Sequence, residues 1–406
     1  MYPWDNMRRL GFTTIIFISL LIAVGACGCA RHPSDLRSLD EQLVLAAQKG
    51  DTGLVRRLLK RGAHIEAKSR DGLTPLAIAA DFGHADTVRL LLALGADATA
   101  GGLNGKNALL ETARIGNAAK MKILLDREGI DLATKNETLL AAVQSAPPLV
   151  VQMSPEEEKR MESLKKNQPE LTEYPREFDY ADTVKVLLDN GASIEARDET
   201  GATPLIDAAA FGQTDTVKLL LEKGASVDAT NNGGMTALIG AACSCAVIDM
   251  PDTIDSMKLL LERGANVEAK DQTRTTALTS AAGWGRTETI ELLLDRGAHV
   301  DDRDSHGNTA LLLAASGSAL PAADAVRLLI ARGADIEATD DRGNTALLLT
   351  ASGGGYQGAK IAEILLRSGA NVDARNKHGN TALALAQKNG HTDIAALLTN
   401  AFKKSK

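Results

Sequence analysis

The chain has 406 residues and a formal net charge of −7, with 52 acidic against 45 basic side chains. This acidic balance argues against sequence-independent attraction to phosphate backbones, so we expect no nucleic acid partner. Aromatic residues make up only 3% of the chain and apolar residues 44%, a composition that suits many small helices rather than one large core.

The N-terminus is predicted to be an export signal. Arg8 and Arg9 precede an uncharged apolar run over residues 10–26, the pattern of a secretory signal peptide. The letters V-G-A-C that end at Cys27 resemble the lipobox of bacterial lipoproteins. That resemblance implies cleavage after residues 1–26, a lipid on the Cys27 sulfur and a short lipidated tether over residues 27–37.

Two alternatives to this assignment stay open. Cys29 could carry the lipid instead, and seventeen apolar residues are just enough for an uncleaved N-terminal transmembrane anchor. The lipoprotein resemblance implies attachment to the membrane of a bacterial cell envelope. In a cell with two membranes it implies the outer one, facing the periplasm, because Gly28 is not the aspartate that retains lipoproteins at the inner membrane.

A two-part unit recurs from about residue 50 to the end of the chain. Runs of leucine end in Gly-Ala, where glycine can take the left-handed conformation that stops a helix, and a residue that can cap the next helix follows. The glycines are Gly62, Gly95, Gly191, Gly224, Gly264, Gly297, Gly333 and Gly369, with Gly129, which Ile130 follows, as a degenerate member. The capping positions are Thr74, Asn107, Glu137, Thr203, Thr236, Thr276, Thr309, Thr345 and Thr381.

This unit resembles the ankyrin repeat. The resemblance is carried by D-G-L-T-P-L-A-I-A-A at residues 71–80 and by G-A-S-I-E-A-R-D at residues 191–198. It implies an all-α solenoid of about ten helix pairs, caps included, joined by short β-hairpins. It covers residues 38–402, which we assign to one ankyrin-repeat domain.

The spacing of the unit predicts where extra length lies. Each Gly-Ala glycine precedes its capping position by twelve residues, except Gly129, which precedes Glu137 by eight. The distance from capping position to the next glycine varies from 21 to 54 residues, so we place all insertions between the two helices of a repeat. The largest covers residues 144–178, and a short charged helix and a disordered loop explain it equally well.

No catalytic or cofactor motif appears in the sequence. It has no G-x-S-x-G, phosphate-binding loop, H-E-x-x-H or paired C-x-x-C, so we expect no enzyme, cofactor, metal or small-molecule substrate. Cys243 and Cys245 leave two interpretations open. They could form a strained disulfide or react with an oxidant, or Cys245 could be a small buried residue beside an enlarged loop.

Two sets of residues are candidates for binding a protein partner. Phe82, Phe211 and Trp284 lie eight residues after their capping threonines, near the expected ligand-facing side, and aromatic side chains are common binding hot spots. Packing at that turn would also explain them. The second set occupies the hairpin tips, where charge varies from repeat to repeat: Arg70, Asp71, Glu199, Thr200, Asp341, Arg342, Lys377 and His378.

These features together predict a non-catalytic scaffold or adaptor that binds a protein through its hairpin tips and inner-helix groove. A stack of repeats offers a long, pre-ordered face and no enclosed cavity. An alternative is an immunity or inhibitor protein that neutralises a toxin or enzyme in the periplasm. A third hypothesis is redox or hydrolytic work by the insertion or by Cys243 and Cys245.

Overall fold

The molecule is an all-helical repeat solenoid. The computed structural model describes residues 38–101, 107–126, 129–145, 179–243, 251–316 and 322–405. The predicted signal peptide and tether, with Cys27, lie outside the described residues. So do Cys245 and residues 146–178 of the insertion.

Twenty helices in this part of the chain form ten pairs, the number predicted. The first helices of the pairs are α1 (Leu39–Gln48), α3 (Pro75–Asp81), α5 (Ala108–Arg114), α7 (Leu132–Val143), α9 (Pro204–Ala210), α11 (Ala237–Cys243), α13 (Ala277–Gly283), α15 (Ala310–Ala315), α17 (Ala346–Gly353) and α19 (Ala382–Lys388). The second helices are α2 (Thr52–Lys60), α4 (Ala85–Ala93), α6 (Ala118–Leu125), α8 (Tyr180–Asp189), α10 (Thr214–Glu222), α12 (Pro251–Glu262), α14 (Thr287–Asp295), α16 (Ala322–Ala331), α18 (Gly358–Arg367) and α20 (Thr392–Ser405).

The first helices begin where the capping residues supply a hydrogen-bond acceptor. Thr74 Oγ1 accepts from the Ala77 N–H at 3.1 Å, and Pro75 occupies the first turn, where a missing N–H costs nothing. Asn107 caps α5 in the same way through Oδ1. The hydroxyls of six further predicted caps accept the equivalent N–H: Thr203, Thr236, Thr276, Thr309, Thr345 and Thr381.

A continuous core runs along the stack, because each helix packs against its counterpart in the next pair. Leucines such as Leu76 and Leu238 are fully buried among alanines such as Ala80, whose small side chains let the helices approach closely. Replacing one such leucine by alanine costs about 2–5 kcal/mol in comparable cores. Both rows continue across the insertion, since α6 packs against α8 and α7 against α9.

The fourth pair differs from the prediction. α7 begins at Leu132 and is capped by Asp131, whose Oδ1 accepts the Thr134 N–H at 2.7 Å. Glu137 lies within that helix, so its predicted capping role is wrong. Asp131 is a strong N-cap and follows Gly129 by only two residues, so the connection between α6 and α7 is shorter than those between the other pairs.

The connections between pairs are turns rather than the predicted β-hairpins. Within the described ranges there is no strand, and Arg375 and Thr381 form an isolated β-bridge. In the fifth repeat the Asp198 N–H donates to the Ala202 carbonyl at 3.1 Å, which closes the turn with one hydrogen bond. Each turn is too short for its two arms to pair further as strands.

Side chains from two second helices close the first helix of the preceding pair. Lys120 is 3% exposed and donates from Nζ to the Ala80 carbonyl at 3.0 Å, at the end of α3. Burial lowers the pKa of Lys120 to about 8, and the nearby charge of Asp81 partly opposes this change. Tyr180 donates its hydroxyl to the Arg114 carbonyl at 3.1 Å, and burial raises its pKa to about 12. These bonds satisfy helix-end carbonyls that would otherwise lack a partner.

None of the helices in the described part of the chain is long and apolar enough to cross a membrane.

Candidate protein-binding surface

We use "tip" for the turn that joins the second helix of one pair to the first helix of the next. A carboxylate or amide at the start of a tip holds it in shape. Asp198 Oδ1 accepts the N–H groups of Thr200 and Ala202 at 2.9 and 2.8 Å. The equivalent acceptors in the five tips that follow are Asn231, Asp271, Asp304, Asp340 and Asn376. Because these bonds are local, each tip is ordered before any partner binds.

The six tips from residue 198 to residue 380 are joined to one another by backbone hydrogen bonds. The Asn232 N–H donates to the Thr200 carbonyl at 2.9 Å, and the pattern repeats four more times. The other donors are Gln272, Ser305, Asp341 and Lys377, each bonded to the preceding tip. A Cβ at Gly201, whose φ is +75°, would collide with Asn232, so this contact requires glycine. We call this continuous row the tip ladder.

A second ladder of carboxylates ties each repeat to the next. Glu66 Oε1 accepts the Asp97 N–H at 2.8 Å, and the acidic residue four places after a Gly-Ala glycine repeats this bond along the stack. The other acceptors are Glu195, Asp228, Glu268, Asp301 and Glu337. Asn136 takes this role where α7 replaces a tip, since its Oδ1 accepts the Ser193 N–H. The sequence analysis missed this ladder, although an acidic residue at that fixed place was its signal.

The predicted tip residues are all exposed, and the structure brings most of them together. The tip ladder carries six of the eight: Glu199, Thr200, Asp341, Arg342, Lys377 and His378. Arg70 and Asp71 lie on the first tip instead. The missing tip between α6 and α7 separates them from the ladder.

The three predicted aromatic residues differ in exposure. Phe82, Phe211 and Trp284 follow the last residues of α3, α9 and α13 and close those helices as C-caps. Trp284 is 49% exposed, whereas both phenylalanines are half-buried. Trp284 is therefore the one with most surface to offer a partner.

A shallow groove lies between the last tips and the first helices. A pocket of about 310 Å³ in this groove is lined by Arg342 and His378 from the tips and by Leu349 and Leu385 from α17 and α19. Amide side chains of Asn344 and others complete the lining. Such a surface offers an apolar floor with polar walls, which suits an extended peptide better than a small reactive molecule.

A buried carboxylate that the sequence analysis missed lies beneath the tip that begins at Asp198. Asp207, on α9, is 9% exposed, and burial raises its pKa to about 7. Gln144 Nε2 donates to Asp207 Oδ2 at 3.0 Å and to Asp198 Oδ2 at 3.1 Å, which partly offsets the burial. Gln144 thus links the last turn of α7 to both the tip and the first helix of the next repeat. A single Asp in an Ala-rich helix was the only signal in the sequence.

One group of side chains has the composition of a metal site. Glu268, His299 and Asp302 place their ligand atoms within 4.8 Å of one another. Glu268 already accepts the His299 N–H in the carboxylate ladder, and Lys270 Nζ lies 2.9 Å from Asp302 Oδ2. The lysine therefore supplies positive charge where a cation would, and we interpret the group as part of the ladder.

Cys243 lies at the end of α11, and its sulfur is 2.7 Å from Ser280 Oγ in the next repeat. Its side chain is partly exposed. Cys245 is outside the described residues, so the predicted alternatives for the pair stay predictions. The contact with Ser280 shows that Cys243 itself takes part in packing between repeats.

A protein-family model described as ankyrin repeats, three copies long, matches the chain over four segments. They are residues 43–136, 176–271, 245–340 and 318–406, of which the last three overlap and the first stands apart. The matched segments cover well over half of the chain. No curated protein is significantly similar to it.

Proposed function

The chain belongs to the ankyrin-repeat family, and on that premise we propose that it is a non-catalytic adaptor anchored at a bacterial cell envelope. Ankyrin repeats are protein interaction scaffolds, generally bind protein partners and are typically non-catalytic. The proposal assigns binding in this chain to the tip ladder and to the groove beside the first helices.

The observation that carries this proposal is the tip ladder. Five backbone hydrogen bonds fix six tips relative to one another, while their outermost side chains project into solvent. A partner that docks along this row orders little of the backbone, so little conformational entropy opposes binding. The side chains can vary without loss of the fold, because the bonds that shape each tip come from other atoms.

The test is capture of a partner in intact cells with a matched pair of variants. Trp284 and Leu94 are 49% and 47% exposed, but Trp284 closes a first helix and Leu94 closes a second helix. After chemical crosslinking and purification, we expect Trp284→Ala to reduce the recovered protein partner by at least about five-fold, in line with an interface hot spot. Leu94→Ala should recover as much partner as the unchanged chain.

Equal recovery by both variants would remove the first-helix side from the binding surface. Recovery of no protein by the unchanged chain would contradict the adaptor function itself. The identity of the recovered protein separates an adaptor from an inhibitor, because an inhibitor must abolish the activity of the protein that it captures.

The envelope anchor is tested separately at the cysteines of the predicted lipobox. Cys27→Ser should release the protein from membranes on cell fractionation, because the acyl chains could no longer attach to the sulfur. Cys29→Ser is the matched control and should leave the protein on the membrane. If both variants stay membrane-bound, the anchor is an uncleaved helix; if only Cys29→Ser releases the protein, the lipid is on Cys29.

A further inference from the structure

The tips of the last four repeats differ from the earlier ones in charge. Going along the ladder, the seventh to tenth repeats present the exposed side chains of Arg274, His306, Arg342, Lys377 and His378. The fifth and sixth present Glu199, Thr200, Asn232 and Gly233. A basic row therefore occupies one end of a chain whose net charge is −7.

Acidic residues near this row do not neutralise its outer face. Asp304 and Asp340 lie at the bases of their tips, partly buried, and each accepts two backbone N–H groups and one asparagine side-chain N–H. Among the described residues no carboxylate forms a salt bridge with Arg274 or Arg342. Asp341 is the acidic residue that projects among the basic ones, and its neighbour Lys377 binds its backbone carbonyl.

Arg274 occupies a position that the backbone reserves for glycine. Its φ is +60°, and it is the one non-glycine residue with a positive φ in the described part of the chain. The same place in the fifth, sixth, eighth, ninth and tenth repeats is Gly201, Gly234, Gly307, Gly343 and Gly379. An arginine in this conformation is strained, and its exposed side chain gains no packing that would offset the strain. A binding role for the guanidinium accounts for an arginine at this position.

The floor beneath the basic row is apolar and repeats in step with the tips. Leu313, Leu349 and Leu385 are half-exposed and occupy equivalent places on α15, α17 and α19. The same position holds Asp207, Gly240 and Ser280 in the three preceding repeats. The wall between tip and floor carries Asn380, which lines the groove and whose amide group can pair with a peptide backbone.

From these features we infer that the tips and groove of the seventh to tenth repeats bind an extended protein segment with an acidic side chain at about every third position. This inference rests on the proposed adaptor function and names the chemistry of the partner. Carboxylates contact Arg274, His306, Arg342 and the Lys377–His378 tip, and intervening apolar side chains lie over the leucines.

The spacing follows from the geometry of the two chains. Neighbouring packed helices lie about 8–10 Å apart, so successive tips have a similar separation. A segment in the extended polyproline II conformation rises about 3.1 Å per residue with three residues per turn, so three of its residues span one repeat and every third side chain faces the tips. A segment of about ten residues therefore reaches from Arg274 to Lys377 with carboxylates in phase.

A protein segment fits this surface better than an anionic membrane does. A membrane would require basic side chains on one flat face and would leave the leucines of the groove floor unused. A peptide uses the guanidinium groups, the Asn380 amide and the apolar floor together. We therefore treat lipid binding as an outcome of the test.

The test uses a fluorescent twelve-residue peptide with Glu at positions 2, 5, 8 and 11 and small or apolar residues elsewhere. Its binding to the full chain is measured by fluorescence anisotropy. We expect saturable binding that weakens as salt is added. Arg342→Glu should weaken it by about ten-fold and Arg274→Gly by about five-fold, since each removes an exposed ion pair. Arg274→Gly also relieves the strained φ, so loss of folding cannot explain its effect.

The controls test whether binding depends on where the charge lies on the chain and on the pattern of Glu in the peptide. Lys218→Glu changes charge on the exposed face of α10, away from the tips, and should change binding by less than about two-fold. Peptides with Lys at the four Glu positions, or with the four Glu placed together, should bind at least about five-fold more weakly. Equal binding of all three peptides, or equal binding by Arg342→Glu, overturns the inference.

Three further outcomes are decisive. Phosphatidylserine vesicles that bind with the same dependence on Arg342, when the Glu peptide does not bind, would overturn the inference in favour of a membrane. If no peptide binds but the unchanged chain still captures a partner through Trp284, the acidic segment is wrong and the adaptor function stands. If capture also fails, the adaptor function is wrong as well.

Discussion

At the scale of single residues, Asp207 is where the packing of the stack conflicts with charge. Its carboxylate is buried on α9, where neighbouring repeats place glycine or serine, and its described hydrogen-bond donor is Gln144. Burial penalises the charged form, so the pKa of Asp207 rises to about 7. The folded chain therefore binds a proton more readily at this position than the unfolded chain does.

Asp207 makes the stability of the folded chain depend on pH. Between the ordinary pKa of 3.8 and the folded value of about 7, the folded state holds more protons than the unfolded state. The stability supplied by Asp207 is thus present at low pH and is lost as pH rises through this window, and above about 7 no more is lost.

We predict that Asp207→Asn removes this pH dependence. The variant should match the unchanged chain at pH 4 and exceed it at pH 8 by on the order of 4 kcal/mol, the free energy that separates a pKa of 3.8 from one of about 7, because the amide needs no proton to be neutral. Thermal unfolding at the two pH values measures the difference, with the exposed Asp215→Asn as the matched control. If the midpoint of Asp207→Asn moves with pH as much as that of the control, the buried carboxylate is not the cause.

Single residues also show what the sequence could predict of the binding surface. The outermost tip residues, such as Arg342 and His378, were predicted because turn chemistry marks them as exposed. Gln144 and Asp207 were not, since 63 residues separate them along the chain and only the fold brings them together. Phe211 is half-buried and Trp284 is exposed, and this difference likewise depends on neighbours from other repeats.

At the scale of elements, the tip is the unit that most of the chain repeats, and α7 is the place where it is missing. A helix that starts at Leu132 replaces the tip, and Asn136 supplies the hydrogen bond to the next repeat that a carboxylate supplies elsewhere. The contact between repeats is kept although the tip is not. The tip ladder consequently begins only with the fifth repeat.

We predict that the start of α7 depends on Asp131 and not on Glu137. Loss of the cap frees the Thr134 N–H, so Asp131→Ala should speed hydrogen exchange of residues 132–135 by about five-fold. Glu137→Ala, an exposed change inside the helix, is the control and should leave those amides unchanged. A larger effect of Glu137→Ala would restore Glu137 as the capping residue.

The elements also mark the limit of prediction from sequence. Thr and Asn caps located eight of the first helices because an N-cap is a local interaction that its own residues specify. At Glu137 the repeat spacing and the local signal disagreed, and the Asp two residues after Gly129 determined where the helix begins. The prediction of β-hairpins was wrong for a related reason. A turn whose backbone N–H groups are bonded by one side-chain acceptor needs no strand pairing.

At the scale of the whole molecule, the stack is a chain of nearest-neighbour contacts. First helices pack on first helices and second on second, across the insertion as elsewhere. In such an architecture stability is close to a sum of local terms, so a change at one repeat leaves distant repeats folded. That property lets the last four repeats carry a basic surface, and the last three a leucine floor, while the central repeats carry Asp207 and Gln144.

The central claim is that this chain works by binding a protein along its tips. The most direct measurement is photo-crosslinking in intact cells, with a photoreactive amino acid placed at one position at a time. We compare tip positions Glu199 and Ser305 with Lys218 and Glu288 on the exposed faces of α10 and α14. The account predicts a discrete protein adduct from the tips and none from the second helices. Adducts from the second helices alone, or from neither set, would contradict it.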